Sequence, residues 1–261
     1  MSFLTPHWPD APAGIGALTS LRGGGVSPAP YGDGAGGGGL NLGTHVGDEL
    51  ENVRRNRYLL QGVLPAEPAW LTQVHGSAVL ETAGVVAASR AEAPQADASF
   101  TAARSAVCAV LTADCLPVLL CDAHGKVVAA AHAGWRGLAG GVLQQTVAAM
   151  RHAGAGEILA WLGPAIGPQQ FEVGADVLQA FLDGAQDAPQ MRLVKDAFAP
   201  LPGCPGKYLA DIYALARIAL RRDGVLRVAG GEFCTVTDAA RFYSYRRDGV
   251  TGRQASLIWR K

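Results

Sequence analysis

Thr112-Ala113-Asp114-Cys115-Leu116-Pro117 places a carboxylate and a thiol at a turn between two apolar runs. Ala131-His132-Ala133-Gly134-Trp135-Arg136-Gly137 places an imidazole where another apolar run breaks into a glycine-flanked turn that opens a helix. A third partner, His75, lies earlier in the chain, in Thr72-Gln73-Val74-His75-Gly76. One thiolate and two imidazoles at the ends of buried elements can form a three-ligand site with an open position, the usual arrangement of catalytic zinc. Cys115 must then be ionised and both imidazoles neutral. Asp114 and Gln73, adjacent or near to a ligand, are the candidates for orienting that set. Arg136 stands where the helix opens, so its guanidinium and the unpaired backbone N–H groups there can grip an oxyanion. A hydrolytic water and a phosphate pocket can therefore lie side by side.

Two other chemistries use the same residues. Cys115 can act as a metal-free nucleophile with His132 as its base. A zinc with a purely structural role is the other; three protein ligands without an obvious fourth argue against it. His7, His124 and His152 have no comparable setting. Cys108 and Cys121 lie inside apolar runs and read as small buried hydrophobes. Cys204 lies in a proline-flanked loop and Cys234 in a strand-like segment. Five cysteines without a C-x-x-C pair do not make a disulfide framework in a chain of this size.

The elements that must position these residues follow from the apolar pattern. Residues 106–112, 118–122 and 127–132 are short, nearly continuous apolar runs, the pattern of strands buried on both faces. Helices are predicted over 48–60, 138–152, 173–182 and 209–222, the last ended by Gly224. Further strands are predicted over 70–74, 78–81, 157–162, 233–236 and 255–259. Residues 20–40 are rich in glycine but lack the lysine and Ser/Thr of a P-loop, so a flexible loop is expected there. No linker or internal repeat divides residues 1–261, and the expectation is one mixed α+β domain.

The chain of 261 residues carries zero formal net charge, with 49% of residues apolar. That balance gives no basic surface for nucleic acid. No apolar run approaches the roughly 18 residues of a membrane helix, and the N-terminus does not read as a signal peptide. A cytoplasmic location is expected.

Several motifs together carry a resemblance. They are Asn41-Leu42-Gly43-Thr44-His45-Val46-Gly47-Asp48, Gln73-Val74-His75-Gly76, the Thr112–Pro117 and His132–Gly137 segments, and Gly163-Pro164-Ala165-Ile166-Gly167. Asp211-Ile212-Tyr213 and Phe242-Tyr243-Ser244-Tyr245-Arg246-Arg247-Asp248 complete the set. In order and over nearly the whole chain, they resemble the YfiH/laccase-domain family. These are multifunctional purine nucleoside enzymes long labelled polyphenol oxidases or multicopper laccases. The resemblance implies a single domain of mixed sheets and helices, with zinc held by two histidines and a cysteine that fall here on His75, Cys115 and His132. It implies phosphorolysis of adenosine, inosine and 5′-methylthioadenosine, and deamination of adenosine. On that reading Asp114 shuttles protons, Arg136 and Arg57 hold phosphate, and Asn41 and His45 line the pocket. Tyr243 and Arg246 reach it from the late polar loop. The glycine run before Asn41 looks like an insertion. Copper, as the older family name has it, is the less favoured metal. Multicopper sites need many closely paired histidines, whereas this chain has six, scattered and without an H-x-H.

Overall fold

The computed structural model describes residues 1–88 and 93–261. In chain order β1 (Phe3–Leu4), β2 (Ile15–Ser20) and β3 (Gly23–Ser27) lead to helix α1 (Leu50–Gln61). Then come β4 (Pro68–Ala69), β5 (Val79–Glu81), α2 (Thr82–Ala88), β6 (Ala98–Thr101) and β7 (Val107–Thr112). The centre holds β8 (Leu116–Asp122), β9 (Val128–Ala133), α3 (Trp135–Ala139), α4 (Val142–His152) and β10 (Ile158–Leu162). They are followed by β11 (Glu172–Gly174), α5 (Ala175–Asp183), α6 (Ala188–Asp196), β12 (Phe198–Pro200) and β13 (Lys207–Ala210). The chain closes with α7 (Ile212–Arg222), β14 (Arg227–Gly230), α8 (Tyr245–Asp248) and β15 (Gln254–Arg260).

The doubly apolar runs are strands because two sheets stack. One sheet has the order β1-β2-β15-β7-β4 and the other β14-β10-β8-β9-β6-β5; a small third sheet is β11-β13-β12. Strand alternation sends each run into two cores. Along β8, Val118 and Leu120 pack with the helices while Leu119 and Cys121 pack with Cys108, Val110 and Ile258 of the five-stranded sheet. The far face of that sheet packs Ala109, Leu111 and Leu257 with Leu60 of α1. The result is a mixed α/β domain of four layers: helix, sheet, sheet, helices. No helix among the described residues is long and apolar enough to cross a membrane.

Local chemistry explains the helices. Asp211 caps α7 by accepting the Ala214 N–H, and Ile212, Leu215, Ala216 and Leu220 form its buried stripe. Leu143, Val147 and Met150 bury one face of α4, each contributing about 1.5–3 kcal/mol. The single helix predicted over 138–152 is two, because Gly141 takes a left-handed φ of 88° between α3 and α4.

Other expectations change as well. The strand predicted over 70–74 is irregular past Ala69. Residues 233–236 contribute a single bridge between Cys234 and Ala165 instead of a strand. The helix predicted over 173–182 divides into β11 and α5. The glycine-rich residues 20–40 do not form a loose loop. They contain β3, and backbone lies so close to backbone that a Cβ on Gly39 would overlap the Tyr31 carbonyl. Glycine is needed there for contact, not for freedom of movement.

Candidate metal and substrate site

Two chain crossings create the site. The chain leaves the five-stranded sheet at β4 and joins the six-stranded sheet at β5, with His75 between them. It crosses again from β7 to β8, with Asp114 and Cys115 in the turn. His132 stands near the end of β9, where Pro117 is its partner on β8. The ligand atoms of His75, Cys115 and His132 all lie within 4.8 Å of one another, the one such group of three among the described residues. His75 Nε2 is 3.7 Å from Cys115 Sγ, and the two imidazole rings meet edge-on with centroids 4.8 Å apart. His75 is exposed, Cys115 half-buried and His132 buried, so the cluster opens to solvent on the His75 side.

Asp97 is the organiser, and the sequence analysis did not select it. Its buried carboxylate accepts the N–H groups of Val74, His75 and Gly76 at 3.3, 2.9 and 2.7 Å. Three inward N–H groups hold the loop in the turn that gives His75 a left-handed φ of 60°. Asp97 Oδ1 also lies 2.8 Å from His132 Nδ1. Burial pushes the Asp97 carboxyl up, but the His132 hydrogen bond and the backbone N–H groups outweigh it and hold it below its ordinary value. An ionised carboxylate only accepts, so a proton resides on Nδ1, and once the ring is neutral Nε2 carries the lone pair. Nothing in Pro94 to Phe100 distinguished this aspartate from a loop residue; its meaning comes from lying opposite His132.

Charge in the trio is tightly shared. Burial raises the Cys115 thiol, but the His132 charge and hydrogen bonds from both imidazoles outweigh it and move Cys115 towards thiolate. Burial disfavours a charged His132, yet Cys115 and Asp97 together raise it. The donor set fits a metal: a thiolate, an imidazole held by a carboxylate, and a second imidazole. Gly134 leaves the space clear, because a Cβ there would come 2.9 Å from Cys115 Sγ and 3.0 Å from His75 Cδ2.

The remaining predicted residues divide sharply. His45 is drawn into the electrostatic neighbourhood of the trio: burial first, then Arg253, Arg57, His132 and His75, hold its imidazole below the ordinary value. Asn41 is buried, not a pocket surface; its side chain bonds Asp48 and Gly43 and accepts the Arg253 N–H. Gln73 exchanges two hydrogen bonds with the Leu111 backbone, tying the His75 loop to β7. Arg57 donates twice to the Leu42 carbonyl and lies 4.2 Å from the centroid of Trp70, so its fork is occupied.

Asp114 has φ 94°, and both of its oxygens are taken, by the Thr235 hydroxyl and the Arg246 N–H, each at 2.6 Å. It braces the turn and is not part of the ligand group. Arg246 turns its guanidinium to the carbonyls of Gln170 and Glu172. Tyr243 is fully buried and its hydroxyl donates to the carbonyls of Tyr31 and Arg22, so it does not reach the pocket. Arg136 is exposed, its guanidinium 4.3 Å from the Trp135 ring, on a helix of only five residues. A helix that short gives little of the expected N-terminal field.

A four-layer domain with a His–Cys–His cluster at its sheet ends is therefore a candidate metal-site scaffold, with two donors in the sheet crossings and the third on β9. The chain belongs to the family described as multi-copper polyphenol oxidoreductase laccase, whose model matches residues 16–261. It is 50% identical over 258 residues to a purine nucleoside phosphorylase of Pseudomonas aeruginosa, covering 99% of this chain and 98% of that one. It is likewise 50% identical to the purine nucleoside phosphorylase YfiH of Escherichia coli, covering 98% of each. A crystal structure of a Neisseria meningitidis protein superposes with a TM-score of 0.88 at 49% identity, covering all of both chains.

Proposed function

We propose that the chain is a zinc-dependent purine nucleoside phosphorylase acting on adenosine, inosine and 5′-methylthioadenosine, and that it also deaminates adenosine to inosine. The observation that carries the metal half is Asp97 fixing His132, which leaves Nε2 free beside Cys115 and His75. The substrate half is supported by relatives named purine nucleoside phosphorylases that match over nearly their whole length.

His75, Cys115 and His132 would hold the zinc, which supplies a Lewis acid with an open position. In phosphorolysis a phosphate oxygen bonds to C1′ of the sugar and the C1′–N9 bond breaks. The electron pair stays with the purine, which takes up the proton that HPO₄²⁻ brings. Adenosine and phosphate thus give adenine and ribose 1-phosphate. Deamination adds water at C6 and releases ammonia. His45, kept neutral by burial and the surrounding cations, has one N–H to donate and one nitrogen to receive a proton. That makes it a better proton carrier than Asp114, whose oxygens are both engaged.

Copper oxidation of phenols is less well supported. Multicopper chemistry needs several metal clusters, and among the described residues one group of three is found.

The test is to incubate zinc-loaded protein with adenosine, with and without phosphate, and resolve the products chromatographically. Adenine that requires phosphate, absent from a folded Cys115→Ala variant, supports the reading. No product from any of the three nucleosides overturns it.

A further inference from the structure

Arg253 lies where the Asn41 loop meets the start of β15, and the strand register brings it to the trio. Gln254 pairs with Thr112, so one residue earlier Arg253 comes level with Ala113, at the entry to the Asp114–Cys115 turn. Its backbone is held on both sides. The Arg253 N–H donates to Asn41 Oδ1 at 2.9 Å, and its carbonyl accepts the Leu42 N–H at 3.1 Å. Within the side chain, only Nη1 has protein acceptors, the carbonyls of Thr251 and Gly252, both at 3.0 Å. Nε and Nη2 have none among the described residues.

No carboxylate pairs with this guanidinium among the described residues. By contrast Arg22, Arg227, Arg241 and Arg247 each have an aspartate partner. Burial is the leading influence on Arg253, and the anions that face it are Cys115 first and Asp114 second. Asp114 is already bonded to Thr235 and to the Arg246 backbone. Tyr245 and Tyr31 are the other groups whose charge bears on it. His45, on the loop that clamps the Arg253 backbone, feels Arg253 and Arg57 more than either imidazole of the trio. A sheltered cation with two uncommitted donors, beside a metal-ligand cluster, matches the forked geometry by which arginine holds phosphate.

We propose that Arg253 binds the phosphate co-substrate of this site, with His45 as a second donor. Arg57 is then a positioning residue: its two bonds to the Leu42 carbonyl fix Leu42, whose own N–H donates to the Arg253 carbonyl. The assignment rests on the phosphorylase reading and moves the anion role from Arg136 and Arg57 to a residue near the end of the chain. The same subsite holds the phosphate of ribose 1-phosphate in the reverse direction.

The experiment uses zinc-loaded wild type, Arg253→Met and Arg253→Lys, with zinc content and thermal melting as controls for folding. Inorganic phosphate binding is measured by calorimetry, and KM for phosphate and for adenosine are measured separately. Loss of the fork should raise the Kd and KM for phosphate about 10- to 100-fold in Arg253→Met, with KM for adenosine moving less than about 3-fold. Arg253→Lys, which keeps the charge and the stem, should fall between. Phosphorolysis with an unchanged KM for phosphate in both variants overturns the assignment and leaves the phosphorylase reading standing. A wild type that cleaves no nucleoside, yet loses phosphate binding on Arg253→Met, removes the phosphorylase reading and keeps the anion site. If Arg253→Met fails to fold, Arg253→Lys decides: an unchanged phosphate Kd there overturns the proposal.

Discussion

The two ends of the six-stranded sheet each carry a buried aspartate in nearly the same cradle. At one end Asp97 accepts three backbone N–H groups, from Val74, His75 and Gly76. At the other Asp122 accepts three, from His124, Lys126 and Gly156. Both are fully buried, and in both the hydrogen bonds overcome burial and hold the carboxyl below its ordinary value. The difference is one side chain. His132 turns inward onto Asp97, whereas His124 meets Asp122 only through its backbone and leaves its ring exposed. A carboxylate that closes a turn becomes part of a candidate metal site when a histidine is delivered to it by a neighbouring strand. The cradle is structural at both ends; the imidazole makes one of them chemical.

Variants that break the comparison should rank in a definite order. Cys115→Ala removes a ligand at the first end and should abolish turnover and zinc retention together, read by product analysis and metal stoichiometry. Asp97→Asn keeps the size but weakens the hold on His132 Nδ1. It should cost about 10- to 100-fold in zinc affinity, measured by competition with a chelator. Asp122→Asn should leave zinc affinity unchanged and cost about 1–3 kcal/mol of stability in urea unfolding. Equal loss of zinc affinity in both Asn variants would erase the distinction between the two ends. His124→Ala, at the outer face of the second turn, should change stability by no more than about 0.5 kcal/mol.

Acid sharpens the same comparison. A carboxyl whose pKa is depressed by folding stabilises the protein above the unfolded value and loses that contribution as pH falls through the folded value. For Asp122 the stabilisation is therefore fully present at neutral pH and fades below the ordinary carboxyl value of 3.8. Urea unfolding of wild type and Asp122→Asn should differ most near neutrality and converge in strong acid. A gap that widens on acidification would contradict the hydrogen-bonding account.

The clustering of His75, Cys115 and His132 was legible because each lies within two residues of a glycine or proline at the end of an apolar run, and those signals are local. The doubly buried strands were legible for a related reason: both faces are packed, so their runs are continuous. Asp97 and Arg253 were not, because each draws its role from a strand register that no short segment encodes. Arg246 and Tyr243 looked functional as polar or aromatic residues in a motif segment, and Arg57 as a cation for phosphate on the helix over 48–60. Their polar atoms are instead engaged by backbone carbonyls, a commitment visible only after folding. The break between α3 and α4 was hidden because Leu138, Val142, Leu143, Val147 and Met150 keep a helical apolar spacing across it.

The two chain crossings also bear on when the metal can arrive. His75 and Cys115 lie forty residues apart, each in a segment that passes from one sheet to the other. No pair of donors is adjacent in the chain, so an unfolded polypeptide offers zinc only isolated ligands. The high-affinity set exists once β4 has joined β7, β5 has joined β6, and β8 has paired with β9. Metal uptake would therefore act as a checkpoint on completed assembly: the ion would add its binding energy to the finished fold and give little to partly folded intermediates.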